Sequence, residues 1–231
     1  MTKYLKKVTG MLCLNNDIES DKCIYVAFLT APTKIGRAIR FITKNKYSHV
    51  ALSFEEDLGT MYSFARYRVN APLVAGFVEE SALRYYYFNQ TDIPVKICRI
   101  PLTDEKFKEV SDYIRTIELN SKQYIYNLLA LASASIHKKV PIDKSYTCLE
   151  FVYSVLYNCG IETSIDIEKY FTISELEDVL AQYVIFEGSL KKPLASNDWG
   201  NDLFYSKKSM PRVIGGTIKQ CGVLLKRTFI S

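Results

Sequence analysis

The chain has 231 residues, of which 48% are hydrophobic and 24% charged, and 30 Lys and Arg against 25 Asp and Glu leave a net charge of +5. That size and composition suit one globular domain with an appendage and exclude a disordered chain. The basic excess is small and forms no long Lys/Arg block, so nucleic acid is not an expected partner.

Six cysteines stand at positions 13, 23, 98, 148, 159 and 221, with no C-x-x-C pair among them. No zinc signature is present, and no metal or other cofactor is expected. A chain of this size does not need disulfide staples, so the thiols are read as reduced and the expected location is cytoplasmic. The first 22 residues are polar and basic without a continuous apolar stretch, unlike a secretory signal. No apolar run reaches the length of a membrane span, and membrane contact is not favoured.

Residues 24–30 (IYVAFLT) are β-branched and aromatic and predict a buried strand. Ile35, Ala38, Ile39 and Ile42 follow at helical spacing. Next comes the strand Ser48 to Phe54, in which Val50, Leu52 and Phe54 share one face and His49, Ala51 and Ser53 the other. The large side chains belong to the core; the histidine's face is otherwise small and leaves room for a ligand. A turn at 55–59 leads to a strand from Thr60 to Tyr67. A short loop sets Ser63 opposite His49, and a longer one sets Ala65 there; either keeps Ser63 on the histidine's face.

Residues 70–92 read as a loop over the cleft with a short strand, ending in the cluster Tyr85 to Phe88. Val95 to Ile100 is a strand. Thr103 or Asp104 caps a helix with Phe107, Val110, Ile114 and Ile117 on one face. Tyr124 to Ile136 predicts a second helix. Ser145 or Thr147 caps a third, which opens on Cys148 and stops at Gly160. Thr172 to Glu175 is a capping box for a short helix, and Tyr183 to Phe186 a last strand. From residue 188 the composition turns to Lys, Ser, Asn and Gly, and the tail is expected to pack on the domain, the alternative being an amphipathic helix on the surface or a docking segment.

A thiol in the first turn of a helix faces unpaired backbone N–H groups and the positive end of the helix dipole, which favour a thiolate. An imidazole beside it would take the thiol proton and later return it to a leaving group. Ser63 is placed by parity to accept a hydrogen bond from the imidazole's other nitrogen; Glu79 and Glu80 are alternative third members, each otherwise a solvated charge. His137, next to Lys138 and Lys139, reads as a surface residue. Taken singly, a cysteine at a helix start and a histidine on a strand are more often packing residues than chemistry.

The segments IYVAFLTAPTKIGRAIRFITKNKYSHVALSF, MYSFAR with GFVEE, YIYNLLAL and YTCLEFVYSVLYNCGI, in that order, resemble the circularly permuted branch of the NlpC-type papain-like cysteine hydrolase superfamily, in a Firmicute-like bacterial subgroup. The resemblance covers roughly residues 23 to 185. It implies an α+β permuted papain-like fold, an antiparallel sheet packed on helices, with an N-terminal extension (1–22), a catalytic domain (23–187) and a C-terminal extension (188–231). It implies Cys148 as nucleophile, His49 as general base and Ser63 at the third polar position, a departure from the glutamate or histidine that permuted members often carry. Tyr47 and Tyr146 are candidates to line the cleft, or else packing residues.

The function so implied is a thiol-dependent amidase or peptidase-like hydrolase, acting on a small-molecule, peptide or lipid acyl or amide substrate through an acyl-enzyme. The alternatives are a lipid acyltransferase or phospholipase resembling lecithin:retinol acyltransferase, and a catalytically silent binding module with the same cleft.

Overall fold

The computed structural model describes residues 22–87, 92–133, 138–161, 165–166, 169–191 and 202–230. The expected N-terminal extension, apart from Lys22, together with Phe88 and His137, lies outside the described residues.

The chain begins with β1 (Cys23–Leu29), buried along its whole length. In α1 (Lys34–Thr43) the Thr33 hydroxyl accepts the Gly36 N–H as N-cap. Then come β2 (His49–Ser53), β3 (Met61–Arg66), β4 (Ala75–Glu80), the single turn α2 (Leu83–Tyr86) and β5 (Pro94–Pro101). Thr103 caps α3 (Asp104–Leu119), which buries Val110, Ile114 and Ile117 at the expected spacing. The rest is β6 (Ile125–Tyr126), α4 (Leu128–Ser133), β7 (Ser145–Tyr146), α5 (Cys148–Asn158), α6 (Ile173–Val179), β8 (Val184–Ser189) and α7 (Met210–Ile230).

The architecture is α+β, an eight-stranded sheet in the order β7-β6-β4-β3-β2-β1-β5-β8 with helices packed on it. The sheet is mixed, where an antiparallel one was expected. Every strand pair but one is antiparallel; β6 and β7 run parallel, because the chain leaves β6, crosses through α4 and a loop, and re-enters the edge in the same direction. Two other expectations change for the same reason, pairing over propensity. Residues 75–80 form a full strand between β3 and β6, not a short one in a covering loop. Of the helix expected over 124–136, residues 134–136 lie outside the described residues; in the described part Ile125 and Tyr126 pair with the sheet edge before α4 begins.

Each face of the sheet carries its own apolar cluster. On one, Val50 and Leu52 of β2 and Phe64 and Phe77 of β3 and β4 pack against Phe151, Val152, Val155 and Leu156 of α5 and the inner face of α3. On the other, Ala51, Met61, Ala82, Tyr85 and Leu190 close together. The face of His49 is therefore filled further along the strand, and space remains only near the histidine itself. Each fully buried Leu, Val or Phe contributes roughly 1.5–3 kcal/mol, so four such residues on α5 hold its N-terminus against β2 and β3. The helix ends at Gly160, whose φ of +73° is the left-handed conformation a C′ glycine supplies. The expected domain boundary after residue 187 falls inside β8.

Candidate active site

Cys148 is the first residue of α5. Thr147 caps the helix: its hydroxyl accepts the Glu150 N–H at 3.2 Å, and the Glu150 carboxylate returns to the Thr147 N–H at 2.7 Å. This reciprocal box is written in the sequence as Thr147-Cys148-Leu149-Glu150. It uses the Glu150 N–H and leaves the amides of Cys148 and Leu149 as first-turn donors without intrahelical partners.

His49 opens β2, and its ring shares a cleft wall with the Cys148 thiol, near enough that each group shifts the other's titration. Its Nε2 lies 2.6 Å from Glu80 Oε1. Ser63 donates to the same carboxylate oxygen at 2.8 Å, and the Tyr85 hydroxyl donates to it at 3.4 Å. His49, Glu80, Ser63 and Cys148 are all buried.

The third position thus differs from the expectation. Ser63 does not receive the imidazole's hydrogen bond; it supports the carboxylate that does. The register explains this. β2 pairs with β3 at Leu52–Tyr62, so counting three residues along each strand brings Ala65, not Ser63, opposite His49. β3 pairs with β4 at Ser63–Val78, and Glu80, two residues beyond Val78, shares Ser63's face and reaches the histidine diagonally. Glu79 points the other way and is exposed.

Tyr47 and Tyr146 line neither of the two clefts that meet at Cys148. Tyr47 is fully buried and donates its hydroxyl to Glu187 at 3.1 Å. Tyr146 packs on Phe64 and Tyr124. Of the two readings offered by the sequence, packing is the one observed. Tyr126 takes the place expected of them: it lines both clefts, as Cys148 does, and the two groups influence each other's titration. Nothing in its spacing singled it out, because it sits on a two-residue strand that only the fold reveals.

The electrostatics follow from this geometry. Burial alone would lower the His49 pKa, but the Glu80 carboxylate and the neighbouring sulfur outweigh it and hold it above the ordinary histidine range. Burial alone would raise Cys148; the imidazolium and a backbone N–H from Val50 reverse that, and the thiol titrates below its ordinary value. Glu80 is held low against its own burial by His49, Arg84 and Ser63. Burial pushes Tyr85 and Tyr126 well up, so both remain protonated donors. By contrast, at Cys98 and Cys159 burial outweighs the pull of Lys96 and Lys106 and pushes the thiols up to about 12.

The larger cleft is a cavity of about 130 Å³ that opens to solvent at its mouth. His49, Glu80 and Cys148 stand in its wall, with Ile35, Ile39, Leu73, Leu128 and Phe204 supplying apolar surface. Arg66 and Arg84 stand in the same wall, both within 5.3 Å of the Phe204 ring centroid, and Arg84 is bound to Asp202 through two hydrogen bonds of 2.7 and 2.8 Å. The second cleft, which shares Ile39, Ser48, Tyr126 and Cys148 with the first, carries Lys138, Lys139 and Lys169. Among the described residues no group of three His, Cys, Asp or Glu could hold a metal ion.

Removing the Ser63 hydroxyl takes a hydrogen bond from a buried carboxylate. Ser63→Ala is expected to cost about 1.5–3 kcal/mol of stability, the range for bonds to charged groups, measured by urea unfolding at pH 7. Stability unchanged to within a few tenths of a kcal/mol would remove Ser63 from the network.

Compared with protein-family models, with curated proteins and with solved structures, the chain matches none.

Proposed function

We propose that the chain is a thiol hydrolase of the permuted papain-like type, in which Cys148 attacks an acyl carbonyl, His49 carries the proton and Glu80 orients and charges the histidine. The observation that carries this reading is the buried Cys148–His49–Glu80 line, with a thiol below its ordinary pKa at a helix N-terminus. Buried carboxylate, imidazole and thiol groups in series are costly to keep for packing alone.

In the proposed reaction the Cys148 sulfur adds to the carbonyl carbon, and the C–S bond forms as the carbonyl π pair moves to oxygen. The amides of Cys148 and Leu149 and the Tyr126 hydroxyl are the donors available to that oxyanion. Collapse breaks the bond to the leaving amine, alcohol or thiol, which takes the His49 proton and departs. His49 then removes a proton from water as it attacks the thioester; the acid leaves, and the sulfur returns as thiolate paired with imidazolium. An acyl acceptor in place of water gives transfer by the same steps. The apolar wall of the larger cleft favours a substrate with a hydrocarbon or aromatic group beside the scissile bond. A reducing cytoplasm, where thiols stay free, is the setting we assign to this chemistry.

The test is intact-mass analysis after incubation with p-nitrophenyl esters of short and medium acyl chains. A single acyl adduct mapping to Cys148, absent in Cys148→Ala, is the expected result. No adduct at Cys148 with any ester would leave the silent binding module as the better reading.

A further inference from the structure

The C-terminal helix α7 has one face settled by packing. Val213, Gln220 and Leu224 are buried. The Gln220 amide accepts the Ala75 N–H at 3.0 Å and donates to the Ala75 carbonyl at 2.9 Å, as a neighbouring strand would. Arg227 donates to the carbonyls of Gln123, Asp143 and Lys144. These contacts determine what the helix turns outward.

Outward lies a row of large apolar side chains, Met210, Ile214, Ile218, Leu225 and Phe229, exposed by 64, 54, 67, 49 and 82% respectively. At 100° per residue these five fall within a 100° arc. Arg212, Lys219 and Lys226 fall in a separate arc beside it, and Lys207 and Lys208 precede the helix; from 202 onward the only acidic residue is Asp202 itself, which is bound to Arg84. Gly215 and Gly222 lie between the two arcs, and neither has a neighbouring atom within 4 Å of where a Cβ would be. An apolar stripe with cations segregated along its flank, running about 31 Å, is the pattern of a helix lying in a lipid–water interface. Among the described residues no helix is long and apolar enough to cross a membrane, so such a helix lies on the surface.

We propose that the outer face of α7 docks on an anionic lipid bilayer. Charge selects this occupant. A second copy of the chain on the same stripe would bring five outward cations against five, whereas acidic headgroups neutralise them as the apolar row enters the acyl boundary. The surface also continues into the larger cleft. Phe204 lines that cleft, Leu203 beside it is 64% exposed, and the segment before α7 is tied to the cleft's rim loop by Arg68 on Ser206 and by Asn70 on the Lys208 carbonyl at 2.7 Å. Docking through α7 sets the mouth of an apolar cleft beside the bilayer.

The experiment is co-sedimentation of the full chain with phosphatidylcholine vesicles and with vesicles of equal phosphatidylcholine and phosphatidylglycerol, at 50 and 500 mM NaCl. Ile218→Asp with Phe229→Asp, and separately Lys219→Glu with Lys226→Glu, are compared after circular dichroism verifies the fold. The expected result is at least tenfold more binding to anionic vesicles than to neutral ones, a loss of at least tenfold in either double variant, and a marked loss at high salt. Cys148→Ala must bind like the parent chain, so failure here is separable from failure of the proposed chemistry. No binding to anionic vesicles, binding untouched by both variants, capture only by an acidic protein, or a dimer in solution that Ile218→Asp with Phe229→Asp dissolves would each overturn the proposal.

Discussion

Replacing His49 by glutamine is expected to lower the rate of acyl-enzyme formation by up to about 10,000-fold, the upper end of what a positioned general base contributes. Glutamine fills a similar volume and can still bond Glu80, so the loss reports chemistry more than packing. Two effects combine. The leaving group loses its proton donor, and Cys148 loses the charge that most lowers its pKa. With the imidazolium gone, burial is the leading influence left on the thiol, and burial raises it. Stopped-flow release of p-nitroaniline from an acyl p-nitroanilide in the first turnover, a leaving group that must be protonated to depart, measures this step. A loss of less than tenfold would remove His49 from the proton path.

Glu80 carries the second large expectation, and two substitutions separate its roles. Glu80→Gln keeps a hydrogen-bonding group of the same shape but no charge; acyl-enzyme formation is expected to fall about 100-fold. Glu80 holds the His49 pKa up; in the variant it drops, and the paired thiolate and imidazolium persist over a narrower range on the alkaline side. Glu80→Ala goes further. It strands the His49 ring and the hydroxyls of Ser63 and Tyr85 in a buried site, at a cost of about 3–5 kcal/mol. The same linkage gives a pH dependence in the parent chain. The folded pKa of Glu80 is depressed, so its contribution is present above the unfolded carboxylate range and is lost as pH falls through the folded value. The folded pKa of His49 is raised, so its contribution is complete below the unfolded histidine value and is lost as pH rises through the folded one. Urea unfolding across pH 3–11 should show a plateau between these limits, and a profile in Glu80→Gln that no longer falls at the acid end in the same way. Identical profiles would contradict the pairing.

Much of this site is legible in the residues themselves. The alternation in His49-Val50-Ala51-Leu52-Ser53 assigns the histidine's face, and Thr147 with Glu150 marks a capping box that begins a helix at the cysteine. Local rules govern both features, so local sequence reveals them. The partner of the imidazole is different. Choosing between Ser63 and Glu80 depends on two strand registers, β2 with β3 and β3 with β4, set by a loop whose length tolerates either alternative. Parity alone kept Ser63 on the right face and gave Glu80 no priority over Glu79. The strand at Ile125 and Tyr126 is hidden for a related reason: both are ordinary members of an apolar run, and a strand partner twenty residues later decides their state. Tyr126 reaches the thiol only because of that pairing.

The proposed chemistry requires Cys148 to be a thiolate held by His49 at neutral pH. The most direct measurement is the rate of Cys148 alkylation by iodoacetamide against pH, resolved by peptide mapping and compared with Cys98 and Cys159 and with His49→Gln. In the parent chain the Cys148 rate should hold a plateau through pH 7 and fall only on the acid side, well below the ordinary thiol range near 8.5, while Cys98 and Cys159 stay unreactive there; in His49→Gln the inflection should move above that range. A Cys148 inflection at or above 8.5 in the parent chain, or one that the His49 substitution leaves in place, would contradict it.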